Sequence, residues 1–340
     1  MAGERGRATA TSVDVARRAG VSQSAVSLVL GGKSAGRVGE QTRDAILAAA
    51  RELGYQPNRA ARALRSDQTQ LVALAVPDVT NPYFASALQG AEREARQHGY
   101  AAMLTSVGRD GEQDWRAAIL DLLTSRAVDG ALLFAPPPLE LHGALRGKAV
   151  VVDASSPVLP SLRLGVEAGA RAAMSHLLAL GHVRIGHLAA AVDVETFHLR
   201  ARGYHDALRA AGIGYVPAYE QRAAITVADA RRAAYAILSA GDRPTAMLCD
   251  SDMLAAGVYK AAGDLRLAIP RDLSVVGFDD SIIATLLEPE LTTVAIPTAA
   301  LAAQGFRMLL AVLEQRPLPD EPVPPLELVV RPSSAPPVRL

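Results

Sequence analysis

The chain has a single cysteine, Cys249, in 340 residues, so no intrachain disulfide can form. No apolar run approaches the roughly 18 residues needed to span a bilayer. The N-terminal stretch MAGERGRATATS is basic but has no apolar segment behind it, so it is not a secretory signal. Lysine is almost missing, with only Lys33, Lys148 and Lys260, and aromatic residues are sparse. No GxGxxG, P-loop, HExxH, GxSxG or CxxC pattern is present, and the histidines are scattered. His182 and His187, five apart in GHVRIGH, read as the end of a helix and the strand after it, not as a metal pair. These absences leave a cytoplasmic protein without enzymatic activity, cofactor, metal or membrane contact as the expectation.

What is present is unevenly distributed. Residues 1–66 carry 11 Lys+Arg against 5 Asp+Glu, whereas the remaining 274 residues carry 24 against 30. A basic head on an acidic body is what phosphate attraction confined to one module looks like. Within the head, SVDVARRAGVSQSAVSLVL (Ser12 to Leu30) reads as a helix-turn-helix. Val13, Val15 and Ala16 supply the apolar face of a first helix, Gly20-Val21-Ser22 a tight turn ending in an N-cap serine, and Gln23 opens a second helix. Val21, Val26, Val29 and Leu30 pack inward at helical spacing. Gln23, Ser24, Ser27 and Leu28 then lie on the opposite face near the helix start, the end that enters a major groove. The same periodicity is compatible with a two-helix corner of an α-rich domain.

Glu40 to Leu53 places Ile46, Ala49, Ala50 and Leu53 on one face of a third helix, with Gly54 past its end and Pro57 preventing continuation. Asn58 to Arg65 follows, with Asn58 in the N-cap position and about two turns of helix-forming residues, too short to be stable without a partner. Arg59, Arg62 and Arg65 are placed to approach phosphates, and Ala60, Ala61, Ala63 and Leu64 give an apolar face for a twin helix. A linker docked on the body is the plainer reading.

From Leu71 onward, short apolar runs such as LVALAV, DGALLFA, AVVVDA, RIGHLAA, TAMLCD and LSVVGF alternate with amphipathic helices. That alternation predicts parallel sheets with helices on both faces, in enough chain for two lobes. Ligands of such sheets bind beyond the carboxyl ends of the strands. Three loops there stand out. Val76 to Phe84 carries Asp78, Asn81, Tyr83 and Phe84; Asp193 to Tyr204 places Thr196 and Arg200 on one helical face; Val275 to Ser281 carries Asp279 and Asp280. An aromatic platform, a guanidinium and carboxylates suit a polar ring such as a sugar or nucleoside. Taken singly, each group also reads as a core anchor, a surface cation or a turn residue.

DVARRAGVSQSAVSLVL followed by GYQPNRAARALRS, with VPDVTNPYF, PTAMLCDSDMLAAG and IPRDLSVVGFDD downstream, resembles the LacI/GalR family of bacterial transcriptional regulators over nearly the whole chain. The resemblance implies an all-α helix-turn-helix head with a hinge helix, then an α/β two-lobed periplasmic-binding-protein-like effector domain with parallel sheets. It divides the chain into a head at 1–57, a hinge and linker at 58–69 and an effector-binding and dimerisation body at 70–340. The DNA-proximal lobe would take about 70–162 and 293–322, the distal lobe about 163–292 and 323–340.

By matching positions, Gln23, Ser24 and Leu28 would face bases, Ala61 would sit in the minor groove, and Leu64 would wedge between central base pairs. In the body, Tyr83 and Phe84 would contact a ligand ring, Thr196 and Arg200 form a polar clamp, and Asp279 take ligand hydroxyls or amines. Ser251 stands where sugar-responsive members often carry asparagine. Leu28 replaces a residue often polar in relatives, so it offers a base only apolar contact, for example to a thymine methyl. Ile225 stands where an aromatic often closes the pocket, Val194 where purine-responsive members carry arginine, and Leu164-Gly165 for a common Asp-Asn pair. A sugar or related polyol is therefore favoured over a purine.

The implied mechanism is a population shift: ligand between the lobes rotates one on the other and changes whether two hinge segments pair on double-stranded, pseudo-palindromic operator DNA. A homodimer is favoured because no heptad helix follows the Pro-rich segment 317–337. Repression is the expected outcome. The competing readings are a sugar-binding transport receptor, which would share the body but not the head, and an α/β enzyme with an unrelated N-terminal module.

Overall fold

The computed structural model describes residues 10–31, 34, 36–55, 68–106, 115–136 and 145–338. The hinge positions Asn58, Arg59, Ala61 and Leu64 lie outside them. The chain divides into two compact units, Met1–Thr69 and Gln70–Leu340.

In the first unit, α1 (Ser12–Ala19) starts at a capping box. Thr11 Oγ1 accepts from Asp14 N–H at 3.3 Å while the Asp14 carboxylate accepts from Thr11 N–H at 2.9 Å. Gly20 ends it in the left-handed region at φ 66°. α2 (Gln23–Leu30) is capped by Ser22 Oγ, which accepts from Ala25 N–H at 3.2 Å, and α3 (Glu40–Glu52) closes the bundle. Val15, Ala16, Val26, Val29, Ile46, Ala49 and Ala50 form its core, with Val21, Leu30 and Leu53 partly buried against them. Val13 was expected on the inner face but is 47% exposed. Two positions before Val15 it lies about 200° around the helix, so both cannot face inward.

The second unit contains two sheets. The first has the order β2-β1-β3-β4-β5, all parallel, from β1 (Leu71–Val76), β2 (Ala101–Ser106), β3 (Gly130–Phe134), β4 (Ala149–Val152) and β5 (Ser161–Leu162). The second has the order β11-β10-β9-β8-β6-β7, from β6 (Ile185–Ala190), β7 (Glu220–Ala223), β8 (Ala246–Cys249), β9 (Ser274–Asp279), β10 (Thr292–Ala295) and β11 (Glu327–Val329). Among the described residues only β10 with β11 pair antiparallel. Covered by helices on both faces, β1, β3 and β4 are buried along nearly their whole length, which is why they read as unbroken apolar runs and not as alternation.

The helices α4 (Pro82–Gln97), α5 (Trp115–Thr124), α6 (Val166–Ala179), α7 (Glu195–Ala210), α8 (Val227–Leu238), α9 (Asp252–Asp264), α10 (Ile282–Leu286) and α11 (Thr298–Leu313) connect these strands. The chain passes from the first sheet to the second after β5, back after β10, and again to the second at β11. The family resemblance puts the return at about residue 293. That boundary falls inside β10, which pairs with β9 through Ala295, so the crossing comes after that residue. α11 then packs on the first sheet, its Gly305 facing Val152 and Leu132. Among the described residues no helix is long and apolar enough to cross a membrane.

α4 and α11 cross so closely that a Cβ on Gly90 would stand 1.9 Å from the Ala299 carbonyl oxygen. Gly257 holds α9 against α8 in the same way, 2.3 Å from Ala230 Cβ. Gly90→Ala is expected to destabilise the body by about 1–3 kcal/mol in urea denaturation, because the helices must part to admit the methyl. Gly263→Ala, in α9 with nothing within 4 Å, is expected to stabilise it by about 0.5–1 kcal/mol. Equal effects of the two substitutions would contradict the close-crossing account.

Candidate DNA-reading surface and effector cleft

The four residues expected to face DNA lie on α2. Gln23, Ser24 and Ser27 are exposed, and Leu28 is half-buried beside the core formed by Val26 and Val29. Gln23 Nε2 donates to Ser12 Oγ at 2.9 Å, a bond from the reading helix to the start of α1. Arg17, Arg18, Arg37, Arg43 and Arg51 are exposed on the same unit, with Arg17, Arg18 and Arg43 in exposed ion pairs with Asp14, Glu52 and Asp44.

In the second unit, the residues singled out in the sequence lie beyond the carboxyl ends of β1, β6, β8 and β9, but they divide into two groups. Asp78, Asn81 and Ser251 have side-chain oxygens engaged locally. Asp78 Oδ1 accepts from Thr80 N–H and Oγ1 at 2.8 and 2.7 Å, Asn81 caps α4 by accepting from Tyr83 N–H at 3.0 Å, and Ser251 caps α9 by accepting from Leu254 N–H at 3.2 Å. Phe84 is a core residue, packed edge-on against Phe134 at 6.1 Å between ring centroids.

The second group converges on Arg200, which is 3% exposed. Its guanidinium carbon lies 3.9 Å from the Phe278 ring centroid and 5.1 Å from that of Phe197, a cation between two aromatic faces. Nη1 donates to the Asp250 carbonyl and lies 3.7 Å from Asp279 Oδ1. Tyr83 and Thr196 are buried in the same place. So is Asp153, just past β4, which the sequence reading missed. Its signal was available: AVVVDA ends a strand with a carboxylate as VVGFDD does.

Three buried donors here, Tyr83 Oη, Thr196 Oγ1 and Arg200 Nε, have no hydrogen-bond partner among the described residues. Thr196 Oγ1 lies near the Asp153 carboxylate without completing a bond, and Tyr83 Oη stands in the same relation to Thr298. Burial raises the Asp153 carboxyl to about 6, with Arg200 opposing. Burial also pushes Asp279 well above the ordinary carboxylate range; Arg200 opposes the shift and Asp252, Asp153 and Asp250 add to it. The Tyr83 hydroxyl is driven upward by burial and by the charges of Asp153 and Asp279. Asp153 and Asp279 also sit at φ 60° and 114°, the second a sparsely populated conformation of the kind that clusters at functional sites. The arrangement offers hydrogen-bond donors and carboxylate acceptors to one buried polar ligand, with Tyr83 and Asp153 coming from the first lobe and Thr196, Arg200 and Asp279 from the second.

Residues 12–58 match the family model of bacterial regulatory proteins, lacI family, and residues 174–334 that of the periplasmic binding protein-like domain. The transcriptional repressor CytR of Escherichia coli K12 is 30% identical over 317 residues, covering 91% of this chain and 92% of CytR. The chain belongs to the lacI family. Among solved structures, the lac repressor dimer bound to operator and the anti-inducer ONPF is 28% identical with a TM-score of 0.83, covering 96% of this chain and all of that one. The complex of the regulator CelR with cellobiose is 27% identical with a TM-score of 0.70 over the same shares. These lacI-family relatives are transcription regulators and not enzymes, and the transport-receptor alternative gives way to a regulatory one.

The raised Asp153 carboxyl has a consequence for stability. Taking up its proton at about 6 when folded but near 3.8 when unfolded, it makes the folded state the better proton binder between those values. Stability is therefore lost as pH rises through that window. Asp153→Asn is expected to remove this contribution, leaving the variant more stable than the parent at pH 7 by about 2 kcal/mol and close to it at pH 4. Urea denaturation at the two pH values checks it, and an equal difference at both would contradict a buried carboxylate.

Proposed function

We propose that this lacI-family protein represses transcription as a homodimer on pseudo-palindromic operator DNA, and that a sugar or related polyol bound between its lobes sets operator affinity. Gln23, Ser24, Ser27 and Leu28 read the major groove, and Asn58, Arg59, Ala61 and Leu64 take the hinge role. Tyr83, Asp153, Thr196, Arg200 and Asp279 hold the effector. The observation that carries the effector reading is the set of buried, unpartnered donors facing buried carboxylates. Each unpaired buried polar group costs about 1–3 kcal/mol, and a ligand with several hydroxyls pairs donors and acceptors together. That the CelR structure holds cellobiose supports the same chemistry.

Fluorescence anisotropy on the intergenic DNA beside the protein's own gene tests the reading, at two salt concentrations and with a panel of sugars and nucleosides. Tight, salt-sensitive binding altered by one polyol is the expected result; no binding beyond random DNA would refute it. Gln23→Ala should weaken operator binding by about 1–3 kcal/mol and leave random-sequence binding in place. Arg200→Ala should retain operator binding and lose the effector response, and an unchanged response would remove Arg200 from the cleft.

A further inference from the structure

Behind Arg200 lies a chain of ionisable groups that meets the cleft through the Asp250 carbonyl. His187, in β6, is fully buried. Its Nδ1 is 3.0 Å from Glu220 Oε1 and its Nε2 2.9 Å from Asp250 Oδ1. A carboxylate only accepts, so with both ring nitrogens facing one, each carries a hydrogen and the ring is an imidazolium. The ring stacks on Tyr204 at 4.8 Å between centroids. On the outer side, Glu220 Oε2 accepts from the Tyr215 hydroxyl at 2.8 Å and lies 3.0 Å from Nε2 of His205, a partly exposed side chain.

Asp250, just past β8, is fixed at every polar atom. Oδ1 takes the His187 bond, Oδ2 accepts from Ala190 N–H at 2.9 Å, and its own N–H donates to the Leu188 carbonyl at 3.1 Å. Its carbonyl takes the Arg200 Nη1 bond. Asp250 thus ties the ends of β6 and β8 together directly behind the guanidinium.

We propose that His187 is a positioning residue for the effector site: clamped between Glu220 and Asp250, it fixes the Asp250 carbonyl that holds the Arg200 guanidinium against Phe278 and beside Asp279. The proposal rests on the assignment of Arg200 to the effector cleft. If the ring loses a proton, one nitrogen lone pair faces a carboxylate, and the buried Asp250 oxygen or the partly buried Glu220 oxygen loses its partner. A buried carboxylate left that way is strongly unfavourable, and even where the Nε2–H bond to Asp250 stays, loss of the imidazolium charge loosens the hold on it. Burial alone favours the neutral ring, but the charge and hydrogen bond of Asp250, then those of Glu220, outweigh it and hold the imidazole at about 9. Glu220 is lowered in turn to about 2, burial being overcome by the bonds from His187, Tyr215 and His205. With the folded value above the unfolded one, the clamp is fully present below pH 6.5 and is lost as pH rises through about 9. The groups that face it are Asp250 beyond β8, Glu220 on β7, Tyr204 and His205 on α7, and Tyr215 ahead of β7.

Carbon-detected NMR of the arginine Cζ–Nη groups in the full-length protein, with Arg200 assigned by Arg200→Lys, reads the restraint directly. At pH 7 the Nη1 bond should slow rotation and give Arg200 two separate Nη signals. In folded His187→Gln at pH 7, and in the parent protein above about pH 9, the two should merge. A folded His187→Gln that keeps the separated pair would overturn the proposal, since a purely structural ion pair need not touch Arg200. If that variant does not fold, Glu220→Gln, at a more accessible position, should lower the pH at which the pair merges; an unmoved midpoint overturns the proposal equally. The measurement needs no effector, so failure of every sugar to alter operator binding would count against the proposed function and leave this inference separately decided.

Discussion

The burial of one guanidinium organises the body of this protein. Arg200 is placed at 3% exposure among the carboxylates of Asp153, Asp250, Asp252 and Asp279, in a region whose apolar walls include Phe197 and Phe278. A buried charge is tolerable only when paired and hydrogen-bonded. Here the aromatic faces, the Asp250 carbonyl and Asp279 meet that requirement in part, and Nε is left without a partner. Without the cation, the mutual repulsion of the acids would fall on protonation or on displacement of the strand ends that carry them. With it, the strand ends of the second sheet converge on one point.

The backbone makes this convergence possible because parallel strands deliver all their carboxyl ends to one edge. β6, β8 and β9 are adjacent in the sheet order, so Thr196 and Arg200 after β6, Asp250 after β8 and Asp279 on β9 come together without long loops. Tyr83 and Asp153 arrive from the equivalent edge of the first sheet, after β1 and β4. An apolar cluster that includes Phe84 and Phe134 from the first lobe and Tyr204 and Phe278 from the second underlies the cleft. The side chains around Arg200 are thus backed by close-packed residues and not by solvent.

Much of this was legible in the sequence, and the exceptions have physical reasons. The head was readable because its turn, its cap and its 3.6-residue period agree: Ser22 caps, Gly20 turns, and Val15, Val26, Val29 and Ile46 are buried. Val13 was misplaced because small apolar residues crowd both faces of a short helix. In the body, the loops were found but the roles within them were not separable. Asp78, Asn81 and Ser251 are residues whose short side chains equally suit local turns and caps, and that is where they are engaged. Asp153 was passed over because a lone aspartate after a strand looks like a turn residue until its burial is seen. The ionic chain behind Arg200 left no trace either. His187, Glu220 and Asp250 are far apart in sequence and meet only because β7 and β8 flank β6.

The way the cleft is assembled constrains how a ligand there can act on DNA binding. A ligand shifts an equilibrium only by its differential affinity for the two states, however tightly it binds. Contacts confined to the second lobe, such as stacking near Phe278 or a bond to Arg200 Nε, are alike in any arrangement of that lobe against the other. Only bonds that reach Tyr83 or Asp153 as well change with lobe geometry. Glu195, the first residue of α7, already joins the lobes beside the cleft, accepting from Ser155 N–H at 2.5 Å and Oγ at 2.7 Å. That bond biases the lobes toward the arrangement in which it forms, before any ligand contributes. In the proposed role, an effector that bridges Asp153 and Asp279 adds to the same bias, whereas one that fills the second lobe alone occupies the site without signalling.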